Sequence, residues 1–239
     1  MTIILSIETS TELASAALLT DDGIIFQELS GVQTHSQGIL PMVQALLAQG
    51  GVSLSQCDTI GFGCGPGAFT GVRTACGIVQ GLAFGADLEV VPVVSLLAMA
   101  EGARTSAQQV GHPEFICVLD ARMEEVYWAR YRHTGAGWQT LSEPALSSFA
   151  QLLAIADFSI AALVHGNGLK LEGVPAGTAT IPCMPHAKQV AYLALAGYRN
   201  GDAVSAAQAQ PLYLRNKIAL TTEERLLAKQ EAAAGKGNA

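Results

Sequence analysis

The sequence predicts an α/β protein made of two duplicated lobes, each a β-meander followed by alternating strands and helices. Three observations predict it. Half of the 239 residues are hydrophobic and only 14% are charged, which is enough apolar material for a substantial core in one large or two small domains. Apolar runs of strand length alternate with stretches at helical spacing. The opening order of strand, acidic turn, strand, glycine turn and strand also returns in the second half.

In the first half, Ile3–Glu8 is a short apolar strand that leads into the hydroxyl-rich turn Thr9-Ser10-Thr11. Leu13–Leu19 is the second strand. Asp21-Asp22-Gly23 supplies the positive φ of a tight hairpin before Ile24–Leu29. Ile39, Leu40, Met42, Val43, Leu46 and Leu47 recur at helical spacing and stop at Gly50-Gly51; Pro41 must lie in that helix's first turn or kink it, because it has no N–H to donate. Thr59–Gly63 is a buried strand, Thr70–Gly85 an apolar helix and Leu88–Val94 another strand. Ser95 caps a helix that runs to about residue 103.

An ungapped shift that puts Glu8 on Asp120 also puts Glu12 on Glu124, Gly23 on Gly135, Phe26 on Trp138 and Leu29 on Leu141. Duplication explains this agreement in element order and acidic-turn placement. The implied division is a first lobe at 1–104, a connection at 104–113, a second lobe at 114–220 and a charged, low-complexity, disordered tail at 221–239. In the second lobe Ile116–Asp120, Val126–Arg132 and Trp138–Leu141 form the meander. Phe149–Ala156 is helical, Ala161–His165 a strand and Lys188–Tyr198 a helix.

Composition excludes several classes of protein. No apolar run reaches membrane-spanning length, and the N-terminal residues lack the pattern of a signal peptide. Five scattered cysteines (57, 64, 76, 117 and 183) without CxxC spacing suit a reducing cytoplasm. The formal net charge is −7, with 13 basic against 20 acidic residues. The basic clusters are Arg122, Arg130, Arg132 and His133, and a smaller one at Arg215 and Lys217. Direct grip on a nucleic-acid backbone by this chain alone is disfavoured.

Two turns carry the pattern of a phosphate site. Glu8-Thr9-Ser10 at the end of a strand can hold a cation-bound water and a phosphate, or it can be a turn whose hydroxyls bond their own backbone. Gly63-Cys64-Gly65-Pro66-Gly67-Ala68-Phe69-Thr70-Gly71-Val72-Arg73 runs from a strand into a helix, the arrangement that aims N–H groups at an anion. No lysine follows as a P-loop requires, so the other reading is a tight strand-to-helix turn. Gly77, Gly81 and Gly85 fall at i, i+4 and i+8 in the helix beyond, flanked by Thr74. Glycine costs roughly 1 kcal/mol against alanine inside a helix, so three on one face imply close approach of a neighbour, within this chain or on another.

The duplicated lobes with a carboxylate turn resemble the actin, Hsp70 and sugar-kinase (ASKHA) superfamily. Ser10 stands where that superfamily has a phosphate-turn glycine, and Glu8 where it has an aspartate. The string Gly65–Arg73 resembles the GPGSFTGVR signature of the TsaB family, with Ala68 in place of serine. Ile7–Thr11, His35-Ser36-Gln37 with Leu40-Pro41-Met42, Asp120–Tyr127 and Pro211–Arg215 resemble further family segments in the same order, over residues 3 to about 220. The resemblance implies a non-catalytic subunit that pairs through its first lobe with the paralogue TsaD, works with the ATPase TsaE and pairs with itself when alone. The reaction served is transfer of threonylcarbamoyl to N6 of adenosine 37 in tRNAs reading ANN codons. It also implies an interface of His35, Ile39, Met42, Val43, Leu46, Thr74, Gly77, Ile78, Gly81 and Gly85. Any phosphate-site positions would be degenerate, at Glu8, Thr9, Ser10, Gly65 and Gly67. ATP or ADP and a metal are expected on TsaD and TsaE, and tRNA reaches the chain only through the complex.

The residues themselves leave three functions open: the partner subunit, a small ATP-dependent kinase or ATPase, and a metallopeptidase-like protein. The five histidines (35, 112, 133, 165 and 186) never stand three or four apart, the spacing that puts two metal ligands on one helical face. His35 reads as a helix-start or interface residue, and His112 and His186, each beside a proline, as loop residues. There is no G-x-S-x-G elbow.

Overall fold

The computed structural model describes residues 2–30, 35–109 and 111–215. The tail expected at 221–239 and Lys217 lie outside the described residues. Ten strands form two five-stranded sheets of identical plan. β1 (Ile4–Glu8), β2 (Leu13–Thr20) and β3 (Gly23–Ser30) make an antiparallel meander, and β4 (Thr59–Gly65) and β5 (Val90–Val94) extend it in parallel from β1. The second sheet repeats this with β6 (Glu114–Arg122), β7 (Glu125–His133), β8 (Trp138–Ser148), β9 (Ala161–His165) and β10 (Thr180–Pro182). The orders β3-β2-β1-β4-β5 and β8-β7-β6-β9-β10 correspond strand for strand, so the duplicated meander read from the sequence is real.

One part of the ungapped correspondence does not hold. In the first hairpin Thr20 faces Gly23 across two residues, whereas in the second His133 faces Trp138 across four. The longer turn shifts β8, so Trp138 and Leu141 are not the counterparts of Phe26 and Leu29. β10, without a strong β signature, was not anticipated.

Strand side chains alternate between faces, and each sheet is apolar on both. Leu5, Ile7, Leu18, Ile60 and Phe62 meet α1 (His35–Gln49) and α2 (Phe69–Ala86) on one face of the first sheet. Ile4, Leu19, Val91 and Val93 meet Val190, Ala191 and Ala194 of α5 (Ala187–Asn200) on the other. The second sheet packs Phe115, Cys117, Leu119 and Tyr131 on Leu96, Met99, Ala100 and Ala103 of α3 (Ser95–Gln109). Its outer face, with Ile116, Val118 and Leu163, covers Leu152 of α4 (Phe149–Ile155). The helix that follows the first sheet in sequence thus covers the second sheet, and the last helix covers the first. α3 and α5 touch each other between the sheets.

Several local expectations change for identifiable reasons. Pro41 lies beyond the first turn of α1, because the helix begins at His35. Residues 104–109 continue α3, where Ala103 and Ala107 are buried, so the expected connection at 104–113 is shorter. The arginines at 130 and 132 are not a free basic patch: both pair with Glu114, which is 3% exposed. Burial alone would raise the Glu114 carboxyl, but the two guanidinium partners hold it below its ordinary range. Arg122 pairs with Asp120. Among the described residues no helix is long and apolar enough to cross a membrane.

His186, read as a loop residue, caps α5. Its Nδ1 accepts from the Lys188 N–H at 2.9 Å while its Nε2 sits 2.8 Å from Glu28 Oε1. That pattern requires the neutral ring with its proton on Nε2. Burial is the main cause that pushes its pKa down, with Glu28 acting the other way. A depressed histidine contributes stability that is present above the unfolded value of 6.5 and lost as pH falls below it. His186→Ala should cost about 1–2 kcal/mol in urea unfolding at pH 8, with His186→Asn recovering part of it as an alternative cap. The difference between wild type and His186→Ala should shrink towards pH 5.

Candidate functional site

The two candidate phosphate turns stand side by side and are joined by two hydrogen bonds. β1 ends at Glu8, which is fully buried. Its Oε1 accepts the Ser10 N–H at 2.6 Å and its Oε2 accepts the Ser95 hydroxyl at 2.9 Å. Ser95 therefore serves the carboxylate of β1, in addition to opening α3. Desolvation raises the Glu8 pKa, against the lowering effect of the hydrogen bonds from Ser10 and Ser95.

The glycine loop closes onto this turn. Ala68 N–H donates to Ser10 O at 2.6 Å, and Thr9 Oγ1 donates to Gly71 O at 2.7 Å. The glycines of the string exist for this contact. A Cβ on Gly67 would lie 2.3 Å from Ser10 O, and one on Gly71 would lie 1.9 Å from Thr9 O. A Cβ on Gly63 would lie 1.9 Å from Glu8 Oε2. Gly65 has φ +104 and faces Val72 and Leu212 O. The N–H groups of Ser10 and Ala68 are thus bonded to protein acceptors, and the Glu8 carboxylate is turned away from solvent. Of the degenerate phosphate positions, Glu8, Thr9 and Ser10 are thus tied to the glycine loop of Gly65 and Gly67, with the Ser10 and Ala68 N–H groups committed to protein acceptors, while Ser10, Gly67 and Ala68 also line the neighbouring cleft.

Beside them lies a cleft of about 940 Å³ between the lobes. Its walls include Phe69 and Val72 of α2, Leu119 and Met123 of the second lobe, and Leu212–Arg215 of the C-terminal segment. Across it Asn167 Nδ2 donates to Glu12 Oε1 at 3.3 Å. The described residues contain no group of three or more His, Cys, Asp or Glu side chains placed to share a metal ion.

The expected interface residues separate into two groups. His35, Ile39, Met42, Val43 and Leu46 are at most 5% exposed and belong to the first core or its edge; the apolar stripe of α1 faces β2 and β3. Their side chains, Met42 and Leu46 included, are enclosed by the first lobe and offer no surface of their own to a partner. His35 Nε2 sits 3.3 Å from Glu12 O. On α2 the outcome differs. Gly77, Gly81 and Gly85 are exposed, and a Cβ on any of them would meet nothing within 4 Å. Thr74 and Ile78 are half-buried beside them, Thr74 Oγ1 donating to Thr70 O. Phe84 on the same face is 85% exposed. Among the described residues no internal neighbour therefore explains the glycine stripe.

Sequence reasoning missed three long-range partners: Ser95 for Glu8, Tyr213 for Arg73 and the turn at 121–125 for Arg215. The signal that could have found the last two is that Arg73 and Pro211–Arg215 both lie in family-like segments.

Two predictions test this account. Gly71→Ala should destabilise by roughly 2 kcal/mol or more, since backbone must move, whereas Gly77→Ala should stabilise by about 0.5–1 kcal/mol. Thermal unfolding measures both. Glu8 is a group with a raised folded pKa, so its contribution is full below 4.5 and lost as pH rises. Glu8→Gln should accordingly gain stability relative to wild type between pH 4.5 and 7.5.

Residues 21–234 match the family model described as "TsaD: tRNA N6-adenosine threonylcarbamoyltransferase". The chain is 34% identical to the tRNA threonylcarbamoyladenosine biosynthesis protein TsaB of Haemophilus influenzae, over 90% of this chain and 94% of that protein. It is 35% identical to the protein of the same name from Escherichia coli, over 90% and 96%. The structure superposes on YeaZ from Pseudomonas aeruginosa with a TM-score of 0.80 at 36% identity, covering 90% of this chain and all of that one. The string Gly65–Arg73, the paired meanders and these full-length likenesses agree: the chain belongs to the TsaB family.

Proposed function

We propose that this chain is a subunit without chemistry of its own in threonylcarbamoyladenosine synthesis on tRNA. It pairs through its first lobe with TsaD, activates it together with TsaE, and so supports transfer of threonylcarbamoyl to N6 of adenosine 37 in tRNAs reading ANN codons. The printed names of the two bacterial relatives support the pathway. The observation that carries the pairing is the open glycine face of α2 at Gly77–Gly85, with Phe84 on it and nothing within 4 Å of an added Cβ among the described residues. Bare backbone there lets a partner helix approach closely. The same face serves a homodimer when the chain is alone. ATP or ADP and a metal are assigned to TsaD and TsaE; the Ser10 N–H held by Glu8 and the Ala68 N–H held by Ser10 O support this reading. The net charge of −7 and the capture of Arg130 and Arg132 by Glu114 support contact with tRNA through the complex alone.

The cleft of about 940 Å³ is the one observation that favours a small kinase or ATPase. Calorimetry with Mg-ATP on the isolated chain separates the readings; micromolar binding with turnover would support the kinase.

The pairing is tested at Gly81. A Cβ at Gly81 meets no described atom within 4 Å, so with Gly81→Leu the monomer should stay folded while co-purification with TsaD is lost. Threonylcarbamoylation of tRNA by TsaD and TsaE should in turn depend on the wild-type chain and fail with the variant. Retained pairing by Gly81→Leu would place the interface elsewhere.

A further inference from the structure

Two motifs far apart in sequence meet at one end of α2, and the pairing role does not account for their meeting. Arg73 Nε donates to Tyr213 Oη at 2.6 Å, its guanidinium lies 3.6 Å from the centre of the Phe69 ring, and the Phe69 and Tyr213 rings are 5.8 Å apart. Upstream, Ala209 O accepts from Cys76 Sγ at 3.1 Å and from Gln80 Nε2 at 2.8 Å, both on α2. Leu212 N–H then donates to Cys64 O at the end of β4, at 2.7 Å. The segment continues along the cleft wall to Arg215. That side chain donates to Ala121 O at 3.0 Å and pairs with Glu125 at 2.6 Å, on the acidic turn between β6 and β7. The turn itself is strained, with Arg122, Met123 and Glu124 all at positive φ.

We propose that residues 209–215 form a coupling strap, in which Arg73 is a positioning residue that fixes the second lobe's acidic turn through Tyr213 and Arg215. The strap is bonded at one end to α2 and at the other to the opposite lobe, and the cleft lies between. Phe69 and Tyr213 are 44% and 46% exposed, so a molecule laid over this end of α2 would remove water from the Arg73–Tyr213 bond and strengthen it. The turn is also held by the β6–β7 ladder and by the Arg122 N–H bonded to Asp120, so releasing Arg215 removes its two outside bonds, to Ala121 O and Glu125, and loosens it without unpairing the strands. The inference goes beyond the pairing role, and its test needs no partner.

The experiment is backbone amide exchange, followed by NMR on the full chain, for wild type, Arg73→Ala, Tyr213→Phe and the double variant. Tyr213→Phe keeps the ring and removes only the hydroxyl, so it reports even if Arg73→Ala fails to fold. The Leu212 amide and the amides of Ala121–Glu125 should exchange about five- to tenfold faster in each single variant, as loss of one or two hydrogen bonds implies. β1 and β9 should keep their wild-type rates. The double variant should exchange no faster than the faster single one, because both act through one bond. Loosening confined to Leu212, with the turn unchanged, would overturn the proposal. So would equal loosening of β1 and β9, or additive effects, either of which makes Arg73 a general stabiliser.

Discussion

Thr9 and Ser10 carry their carbonyl oxygens to within reach of the loop that begins α2, and only chains with no side chain at Gly67 and Gly71 can let them. Much of the first lobe follows from that approach. It sets where α2 starts, because Ala68 N–H is held by Ser10 and Val72 N–H by Ala68. It also encloses Glu8, whose carboxylate fills the space beside Gly63 and takes two donors from different elements, Ser10 and Ser95. A buried carboxylate is tolerated when its oxygens are paired, and here those bonds tie β1 to the first turn of α3.

The resulting lobe has one face of α2 committed to the core and one left bare. Val72, Ala75, Cys76, Val79 and Ala83 are buried, while the glycines occupy the opposite side. A glycine that cleared a clash would be expected to have an atom nearby, as Gly67 and Gly71 do. Gly77, Gly81 and Gly85 have none within 4 Å of a built Cβ, so they give up helix propensity without an internal return. The string and the stripe thus use the same residue for different ends: the first for contact inside the chain, the second for a surface.

The sheets were legible because both signals behind them are periodic. Apolar runs of strand length marked β1 to β4 and gave both ends of β9, and the repeated acidic turn marked β6 and β7. Direction was less legible than periodicity. The stripe Ile39, Met42, Val43 and Leu46 was read correctly as a stripe, but nothing in helical spacing says whether it faces a sheet or a partner. Ser95 shows a similar limit: its position suited a cap, and its use as a donor to Glu8 depends on a fold that brings residues 87 positions apart into contact. The glycine loop shows the same limit. A turn rich in glycine and hydroxyls looks alike in sequence whether its N–H groups point at an anion or at another turn.

The crossing of α3 and α5 has its own consequence for how the chain is made. α5 fills one face of the first sheet, and Ser6 Oγ donates to Ala187 O across 181 positions of sequence. When the first hundred residues have left the ribosome, only Ala98 of α3 is available to that face, and most of Ile4, Leu19, Val91 and Val93 stays bare until α5 emerges. Neither lobe can therefore finish before the other. The duplication that made two similar halves has been overtaken by an exchange of helices that makes them one folding unit, with a long nascent interval in which the apolar face needs protection.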